Sequence, residues 1–357
     1  MTAAILDLST ATSSELIATL HTLNRPKRFL LETFFPSTVL FDTAQVVFDK
    51  VPTTRRLAPF VSPLVKGKPQ PISGETLTTY RPPYLKPKHT LSPDIGLLAP
   101  MPVGGIKPAN IVFQVPPTMR QRLDDLRARA LQDEDGQITR REEWMAAQLL
   151  LTGSFNVVAE DHPPMNVDLG RPAANTVVLT GAARWGNLGV SPFQNLQDQA
   201  TAIASATGFV PNTVVFEPKA ARLFLADPFL NKIYTQWQGP KRALDLAGEV
   251  QPGSNGEAVL LGSLGGFTFW QYQHSYEGMD GTTRKLLPDN TVIMGSVTGA
   301  EGVMTYGAIL DMGVLHAIRR YPKEWLEQDP SVRHMMTQAA PLPLLGRPET
   351  TLAMTVG

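Results

Sequence analysis

The sequence predicts an α+β protein in which a proline-rich, extended segment precedes a helical region and then a mixed domain. Thirteen of the 31 prolines fall within residues 59–117. Two capped helical patterns follow this segment, and strand-like runs then alternate with further helices. Because 43% of the residues are hydrophobic, the chain has enough apolar surface to build a core, and we expect it to be folded.

The N-terminal region begins with a short predicted helix. Residues 12–15 (Thr-Ser-Ser-Glu) form a capping-box pattern, and Leu16, Leu20 and Leu23 recur on one helical face. A basic run at residues 25–28 follows, and we interpret it as a solvated turn.

The proline-rich segment contains one strand-like run, residues 77–80, with prolines on both sides. Proline cannot donate to a β-ladder, so we expect this strand at a sheet edge or in a free-standing ribbon. Few large apolar side chains are available here to offset the entropy of ordering. We therefore predict an arm that becomes ordered against another molecule, namely another subunit.

Two separate helices are predicted next. The first begins with a capping-box pattern at residues 117–121, and the second begins at Thr139 and ends at Gly153. Glu142 and Glu143 are expected on the exposed side of the second helix, beside two arginines.

Residues 133–138 (Asp-Glu-Asp-Gly-Gln-Ile) separate these two helical patterns and resemble half of a calcium-binding loop. The first ligand position of such a loop needs an oxygen ligand, but here it holds Leu131. We interpret the run as an acidic turn between the two helices.

The remainder of the chain has a mixed pattern. Glycines at residues 262–266 lack the lysine and the following helix that a phosphate loop needs, so they predict a bulged or sharply turned strand. Residues 335–356 are expected to be extended and apolar. Strands are predicted at residues 177–180, 213–216, 258–261, 267–272 and 291–294, and helices at residues 196–207 and 218–226.

No catalytic, cofactor-binding or metal-binding constellation is predicted. His89, His162 and His274 lack metal-ligand spacing. Asp161 and His162 would suit half of a hydrolytic site, although no serine lies in a nucleophile elbow. The alternative interpretation is therefore a two-domain hydrolase that uses Asp161 and His162, with the proline-rich segment as a lid.

Charge and composition narrow the function classes further. The chain has 32 basic and 32 acidic residues and no cysteine, which argues against a basic nucleic-acid reader and excludes thiolate metal sites and disulfides. Residues 58–97 carry a net charge of +3 and residues 192–310 a net charge of −3, so docking between copies is favoured. We see no secretory signal and no membrane span, and we expect synthesis in the cytoplasm.

Several segments resemble the major capsid proteins of tailed bacteriophages of the lambda type, the capsid protein E family. The strongest is Leu287-Pro288-Asp289-Asn290-Thr291, continuing to Met304-Thr305-Tyr306-Gly307. The others occur in the family's order along most of the chain, at residues 61–65, 84–89, 141–153, 167–171, 215–219, 321–325 and 339–342.

The resemblance implies a Hong Kong 97-type phage capsid fold. Residues 1–57 would form the N-terminal arm and residues 58–97 the extended E-loop. Residues 98–191 and 311–357 would form the peripheral domain, with its spine helix at residues 140–152, and residues 192–310 would form the axial domain. Inter-subunit contacts are expected on the E-loop, at Tyr80, Tyr84, Lys86, Lys88 and His89.

The resemblance also implies the role of the protein and its partners. Copies would form hexamers and pentamers of an icosahedral shell in the virion, assembled in the host bacterial cytoplasm, around double-stranded DNA that is not bound sequence-specifically. Scaffold, portal, maturation protease and decoration proteins are implied partners, with the scaffold as a separate chain. Some relatives cross-link lysine to asparagine, but no matching motif carries that chemistry over to Lys86 or Lys88.

Overall fold

The computed structural model describes residues 10–22, 28–50, 66, 76–92, 119–159, 162–230, 249–250, 258–278 and 280–357. It has the predicted α+β composition. The helices are α1 (Ser13–Thr22), α2 (Phe29–Phe34), α3 (Met119–Thr152), α4 (Pro192–Thr207) and α5 (Pro218–Leu225).

The strands cluster in the second half of the chain. They are β1 (Ser37–Leu40), β2 (Val46–Lys50), β3 (Thr76–Tyr80), β4 (Lys88–Leu91), β5 (Ser154–Ala159), β6 (His162–Asp168), β7 (Thr176–Val178), β8 (Thr213–Phe216), β9 (Glu249–Val250), β10 (Ala258–Leu264), β11 (Phe267–Tyr272), β12 (Ser275–Glu277), β13 (Thr283–Lys285), β14 (Thr291–Gly295), β15 (Gly302–Tyr306), β16 (Tyr321–Gln328), β17 (Ser331–Gln338), β18 (Pro341–Leu345) and β19 (Thr351–Thr355).

Helix α3 is a single helix of 34 residues, so the prediction of two helices separated by an acidic turn is wrong. Gly136 and the acidic residues around it continue the helix instead of ending it. A mid-helix glycine costs only about 1 kcal/mol relative to alanine. Side chains elsewhere in the chain bind Glu134 and Asp135 (2.6 Å from Thr337 Oγ1 to Glu134 Oε2, and 2.7 Å from Arg320 Nε to Asp135 Oδ1) and offset this cost.

The C-terminal end of α3 is where the sequence predicts it. Gly153 has a φ of +79°, the left-handed conformation that glycine adopts without strain, and its N–H donates to Leu149 O. The Arg171 guanidinium donates to the carbonyl oxygens of Leu150 and Leu151, at 2.6 and 2.5 Å. These donors satisfy carbonyl groups that a helix end otherwise leaves unpaired.

A seven-stranded mixed sheet, in the order β7-β19-β14-β8-β11-β10-β9, holds one of the two largest cores. Helices α4 and α5 contribute Leu196, Ile203 and Phe224 to this core, where Phe224 packs on Phe216 and Phe269 of the sheet. The second large core joins α2 and the C-terminal half of α3 to β15 and β18. Each strand and helix predicted after Gly153 is present, with small shifts in its ends.

The glycine-rich run forms the predicted turn. The register of the β10–β11 hairpin shifts between Leu260 and Gly262, and Gly265 and Gly266 make the turn with positive φ angles. The aromatic residues of β11 pack mainly into the cores, with Phe267, Phe269 and Tyr272 buried.

The predicted strand in the proline-rich segment is also present, and the structure pairs it within the chain. β3 forms a two-stranded antiparallel ribbon with β2, in which Lys50 lies opposite Thr76. β4 continues the same segment and pairs with β17 in the three-stranded sheet β16-β17-β4. A third sheet, β1-β15-β18, joins the N-terminal region to the C-terminal region.

The helices also test the predicted capping box and the absence of a membrane span. The capping box of α1 is formed, with Thr12 N–H donating to Glu15 Oε2 at 2.8 Å. Leu23, residues 25–27 and the capping pattern at 117–118 lie outside the described residues. Among the helices that the structure describes, none has the length and apolar character to cross a membrane.

The division into arm, loop, peripheral and axial domains stays a prediction. The last strand, β19, lies between β7 and β14 in the seven-stranded sheet. Residues 351–355 therefore share a sheet with strands from the predicted axial range, residues 192–310.

Gly136→Ala is expected to raise the free energy of unfolding by about 0.5–1 kcal/mol, because alanine favours the helix interior. A Cβ at this position would lie 3.3 Å from the flexible guanidinium end of Arg140, which can move aside. Chemical denaturation of the free subunit measures the change.

Gly153→Ala at the end of the same helix is the matched control. Its Cβ would lie 2.6 Å from Arg171 Cβ at a φ of +79°, so we expect a loss of about 1 kcal/mol or more. A destabilising Gly136→Ala would contradict the single continuous helix.

Candidate assembly sites

The described residues offer no site for enzyme or metal chemistry that matches the alternative interpretation. Within them, no group of three or more histidine and carboxylate side chains is arranged to hold a metal ion. Asp161 lies outside the described residues, and of His162 the structure describes only its place in β6. The groups that organise the molecule are instead buried carboxylates on α3.

Four carboxylates of α3 are buried, and the prediction that Glu142 and Glu143 lie on an exposed face is wrong. Glu134 and Glu142 are 0% exposed, Glu143 is 2% exposed and Asp135 is 3% exposed. These residues face polar partners from distant parts of the chain. A charged pattern on a helix does not reveal this, because the partners lie about 100 to 200 residues away.

Arg320 binds two of these carboxylates at once. Its guanidinium donates to Asp135 Oδ1 and to Glu142 Oε1, both at 2.7 Å, and all three side chains are at most 5% exposed. The same Glu142 oxygen accepts a hydrogen bond from the Tyr306 hydroxyl at 3.0 Å. Glu142 therefore joins α3 to β15 and to the residue just before β16.

Glu142 also faces Arg28, at 3.5 Å, from the basic run before α2. The Arg28 side chain is about one-fifth exposed, so the interpretation of this run as a solvated turn is wrong for Arg28. Burial alone would raise the pKa of Glu142, but the positive charges of Arg320 and Arg28 outweigh burial and hold the pKa below its ordinary value.

Glu143 holds the N-terminal region against α3. Its two oxygens accept the backbone N–H groups of Leu30 and Leu31, at 2.7 and 3.2 Å, and the hydroxyl of Tyr272 at 3.0 Å. Burial raises the pKa of Glu143 to about 7, although these three donors oppose the shift. Burial likewise raises the pKa of Glu134 to about 7, against a hydrogen bond from Thr337.

A second ion cluster joins α1 and α3 to the β16–β17 hairpin. Glu324 of β16 accepts hydrogen bonds from Arg127 of α3 at 3.0 Å and from Arg333 of β17. Its other oxygen accepts the backbone N–H of Ala11 at 2.8 Å. Glu324 therefore joins α3 and the segment before α1 to the β16–β17 hairpin.

The five residues predicted as inter-subunit contacts all make contacts within the subunit. The Tyr80 hydroxyl donates to Asp168 O, and the Tyr84 hydroxyl donates to Gln338 Oε1 at 2.7 Å. The ammonium group of Lys86 lies 4.8 Å from the centre of the Tyr84 ring, and that of Lys88 lies 5.1 Å from the centre of the Trp325 ring. His89 Nε2 lies 3.0 Å from Asp133 Oδ2. Their contacts between subunits stay a prediction.

The loop between β15 and β16 carries exposed apolar residues that were not predicted from the sequence. Leu310, Met312 and Leu315 are 55%, 92% and 61% exposed. The sequence signal was a run of four large apolar residues within six positions, Leu310, Met312, Val314 and Leu315, outside the predicted helices and strands.

Comparisons with known proteins show which family and which proteins this chain resembles. The model of the family described as phage major capsid protein E matches residues 12–356. The chain is 31% identical over 348 residues to the major capsid protein of Escherichia phage N15, covering 96% of this chain and 98% of that one. It is 31% identical over 353 residues to that of Enterobacteria phage phi80, covering 97% and 99%. It is 29% identical over 348 residues to that of Escherichia phage lambda, covering 96% and 98%.

Two solved structures share the fold. One is the crystal structure of a protein of an Escherichia coli CFT073 prophage, described as a capsid protein, with a TM-score of 0.71, 19% identity and coverage of 98% of this chain and 100% of that one. The other is a phage-related protein from Bordetella bronchiseptica, with a TM-score of 0.54, 14% identity and 97% coverage of both chains.

Arg320→Met is expected to lower the free energy of unfolding by about 3–5 kcal/mol, because it removes the buried guanidinium that both Glu142 and Asp135 bind. Urea denaturation of the free subunit measures the loss. Arg284→Met is the control, since its ion pair with Asp280 is more than 45% exposed on both sides and should contribute little to stability. Equal losses in the two variants would contradict the central place of Arg320.

Lowering the pH from 8 to 5 is expected to stabilise the free subunit through Glu143. Its pKa is about 7 when folded against an ordinary value of 4.5, so the folded state holds the proton more tightly. This contribution is fully present below pH 4.5 and is lost as the pH rises through 7. Glu143→Gln should reduce the pH-dependent change in the free energy of unfolding by about 2 kcal/mol.

Glu32→Gln, at an exposed position in α2, is the control and should keep the wild-type slope. Denaturant unfolding at a series of pH values gives the comparison. A Glu143→Gln variant with the same slope as the wild type would show that Glu143 does not titrate in this range.

Proposed function

Because the chain belongs to the phage major capsid protein E family, we propose that its buried network serves to hold one subunit shape while its surfaces join copies into a shell. The protein is a lambda-type phage major capsid protein with the Hong Kong 97-type fold, a structural component of the virion and not an enzyme. The observation that carries this function is the extent of the family match, residues 12–356. The hydrolase alternative receives no support.

The domain roles are part of the proposal. Residues 1–57 act as the N-terminal arm, residues 58–97 as the E-loop, residues 98–191 and 311–357 as the peripheral domain and residues 192–310 as the axial domain. Contacts of α3 with partners from both ends of the chain, Leu30 and Thr337, support a spine role for this helix. The seven-stranded sheet with α4 and α5 supports a separate axial body, to which β19 is added from the C-terminus.

The E-loop joins neighbouring subunits in this proposal. The β2–β3 ribbon supports this role, because Lys50 and Thr76 face each other at its end and residues 51–75 connect them. Tyr80, Tyr84, Lys86, Lys88 and His89 fix the base of the loop to its own subunit. These five residues contact neighbouring subunits through the parts of their side chains that remain exposed to solvent. The net charge of +3 on residues 58–97 and of −3 on residues 192–310 favours docking between copies.

Further partners follow from the shell function. Copies assemble as hexamers and pentamers in the host bacterial cytoplasm, guided by a separate scaffold protein and closed by a portal, and a decoration protein binds outside. The shell encloses double-stranded DNA without sequence-specific contacts. Equal numbers of basic and acidic residues support this, since the wall has no charge excess with which to bind phosphates tightly.

Replacing residues 51–75 by Asn-Gly tests the role of the loop. A two-residue Asn-Gly turn suits an antiparallel ribbon, so β2 and β3 stay paired and the base contacts remain. We expect the purified wild-type chain to form megadalton particles, seen by electron microscopy, and the shortened chain to remain as folded subunits or small oligomers.

Two further measurements define the outcome. Thermal unfolding and circular dichroism establish that the shortened chain is folded. Particles of normal size from the shortened chain would refute the role of the loop. A wild-type chain that forms no assemblies, either alone or together with a scaffold protein, would refute the proposed assembly.

A further inference from the structure

The loop that joins β15 to β16 carries an exposed apolar surface on a rigid frame. We call residues 308–317 the apolar loop. Ala308 and Ala317 form an antiparallel bridge at its base, and Ile309 N–H donates to His316 O at 3.1 Å. At its tip, Leu310, Met312 and Leu315 are exposed, with Met312 at 92%.

Asp311 holds the tip in one conformation. Its carboxylate accepts the N–H of Gly313 at 3.0 Å, the ammonium group of Lys323 at 3.0 Å and the side-chain amide of Gln338 at 2.9 Å. Its carbonyl oxygen accepts the N–H groups of Val314 and Leu315. The apolar side chains are therefore presented by a fixed backbone, which lowers the entropy lost on binding.

The backbone at Leu315 is also unusual. Its φ of +49° lies in the left-handed region, which a leucine adopts only at a cost. Strain of this kind persists where the surrounding contacts enforce it, and it concentrates at functional positions. Here it directs a leucine that is 61% exposed away from its own core.

The base of the loop lies beside the end of β1. Ala317 N–H donates to Asp42 Oδ1 at 2.8 Å, and Ala308 N–H donates to Thr43 O at 3.2 Å, so the base of the loop lies against the end of β1. Val39 and Leu40 of β1 are 40% and 53% exposed, and β1 is an edge strand. The loop and β1 together hold five of the thirteen large exposed apolar side chains in the described part of the chain.

We propose that the apolar loop is a contact site for a second copy of this chain in the assembled shell. The proposal rests on the proposed shell function and names a surface that serves it. Residues 308–317 contain one acidic side chain, Asp311, whose charge Lys323 neutralises within the subunit. The tip therefore presents little charge to a partner, which disfavours DNA and favours an apolar protein surface.

The area of the exposed tip of the apolar loop limits how strong a single contact can be. Three exposed side chains cover a few hundred Å² at most, whereas a stable pair of proteins buries about 800 Å² on each partner. This contact is too small to hold a free dimer. It suits a closed shell, in which each copy repeats the same weak contact and the contacts reinforce one another.

A single cysteine at position 312 tests the proposal. Because the chain has no cysteine, Met312→Cys creates one thiol, whose reaction with a maleimide reports access to the tip. We expect rapid labelling of the free subunit and labelling at least about tenfold slower in particles assembled from the purified variant alone. Labelling of the same particles after dissociation is the control and should return to the fast rate.

Equal labelling rates in particles and free subunits would overturn the proposal while leaving the shell function intact. If the wild-type chain forms no particles, either alone or together with a scaffold protein, both the proposed assembly and this contact fall. Met312→Glu and Met312→Leu provide a second test with side chains of similar size, one charged and one apolar. We expect the leucine variant to assemble as the wild type does, and the glutamate variant to keep its melting temperature but lose most of its particles. Normal particles from the glutamate variant would also overturn the proposal.

Discussion

The structure depends on a buried ion pair between Arg320 and two carboxylates of α3. Taking Glu142 and Asp135 out of water is costly, and a single guanidinium with two good hydrogen bonds offsets most of this cost. The arrangement has a geometric consequence. Glu142 finds Arg320, Tyr306 and Arg28 together only when α3, β15 and the segment before α2 occupy their native positions. The pair therefore contributes specificity of the fold more than net stability.

The same helix explains how one subunit can offer several surfaces at fixed positions. Glu143 binds the first residues of α2, Glu134 binds β17, and Glu324 brings Arg127 of the helix to the hairpin and to the N–H of Ala11. Each of these contacts joins segments that are more than 100 residues apart. A shell protein requires this rigidity, because small errors in the angle between its surfaces accumulate around a closed particle. The apolar loop and the β2–β3 ribbon extend from this frame.

The sequence predicted local structure well and buried polar contacts poorly. The capping box at Thr12, the glycine end of α3 at Gly153 and the turn at Gly265 depend on residues a few positions apart, and the structure confirms them. The acidic run around Gly136 also suggested a local turn, but partners far along the chain outweigh that preference. The burial of Glu142 and Glu143 could not be predicted for the same reason. The resemblance to capsid proteins supplied the fold, which composition and periodicity alone left as α+β.

Native-state hydrogen exchange of the free subunit tests the central claim most directly, since it measures which segments open together. If the α3 carboxylates unite the subunit, the amides of Leu30 and Leu31, which donate to Glu143, should open with the same free energy as those of the buried turn of α3 near Leu149. The amide of Tyr306 in β15 should do the same. Exchange of Leu30 and Leu31 through a separate opening of much lower free energy would show that α2 is held independently, and it would contradict this account.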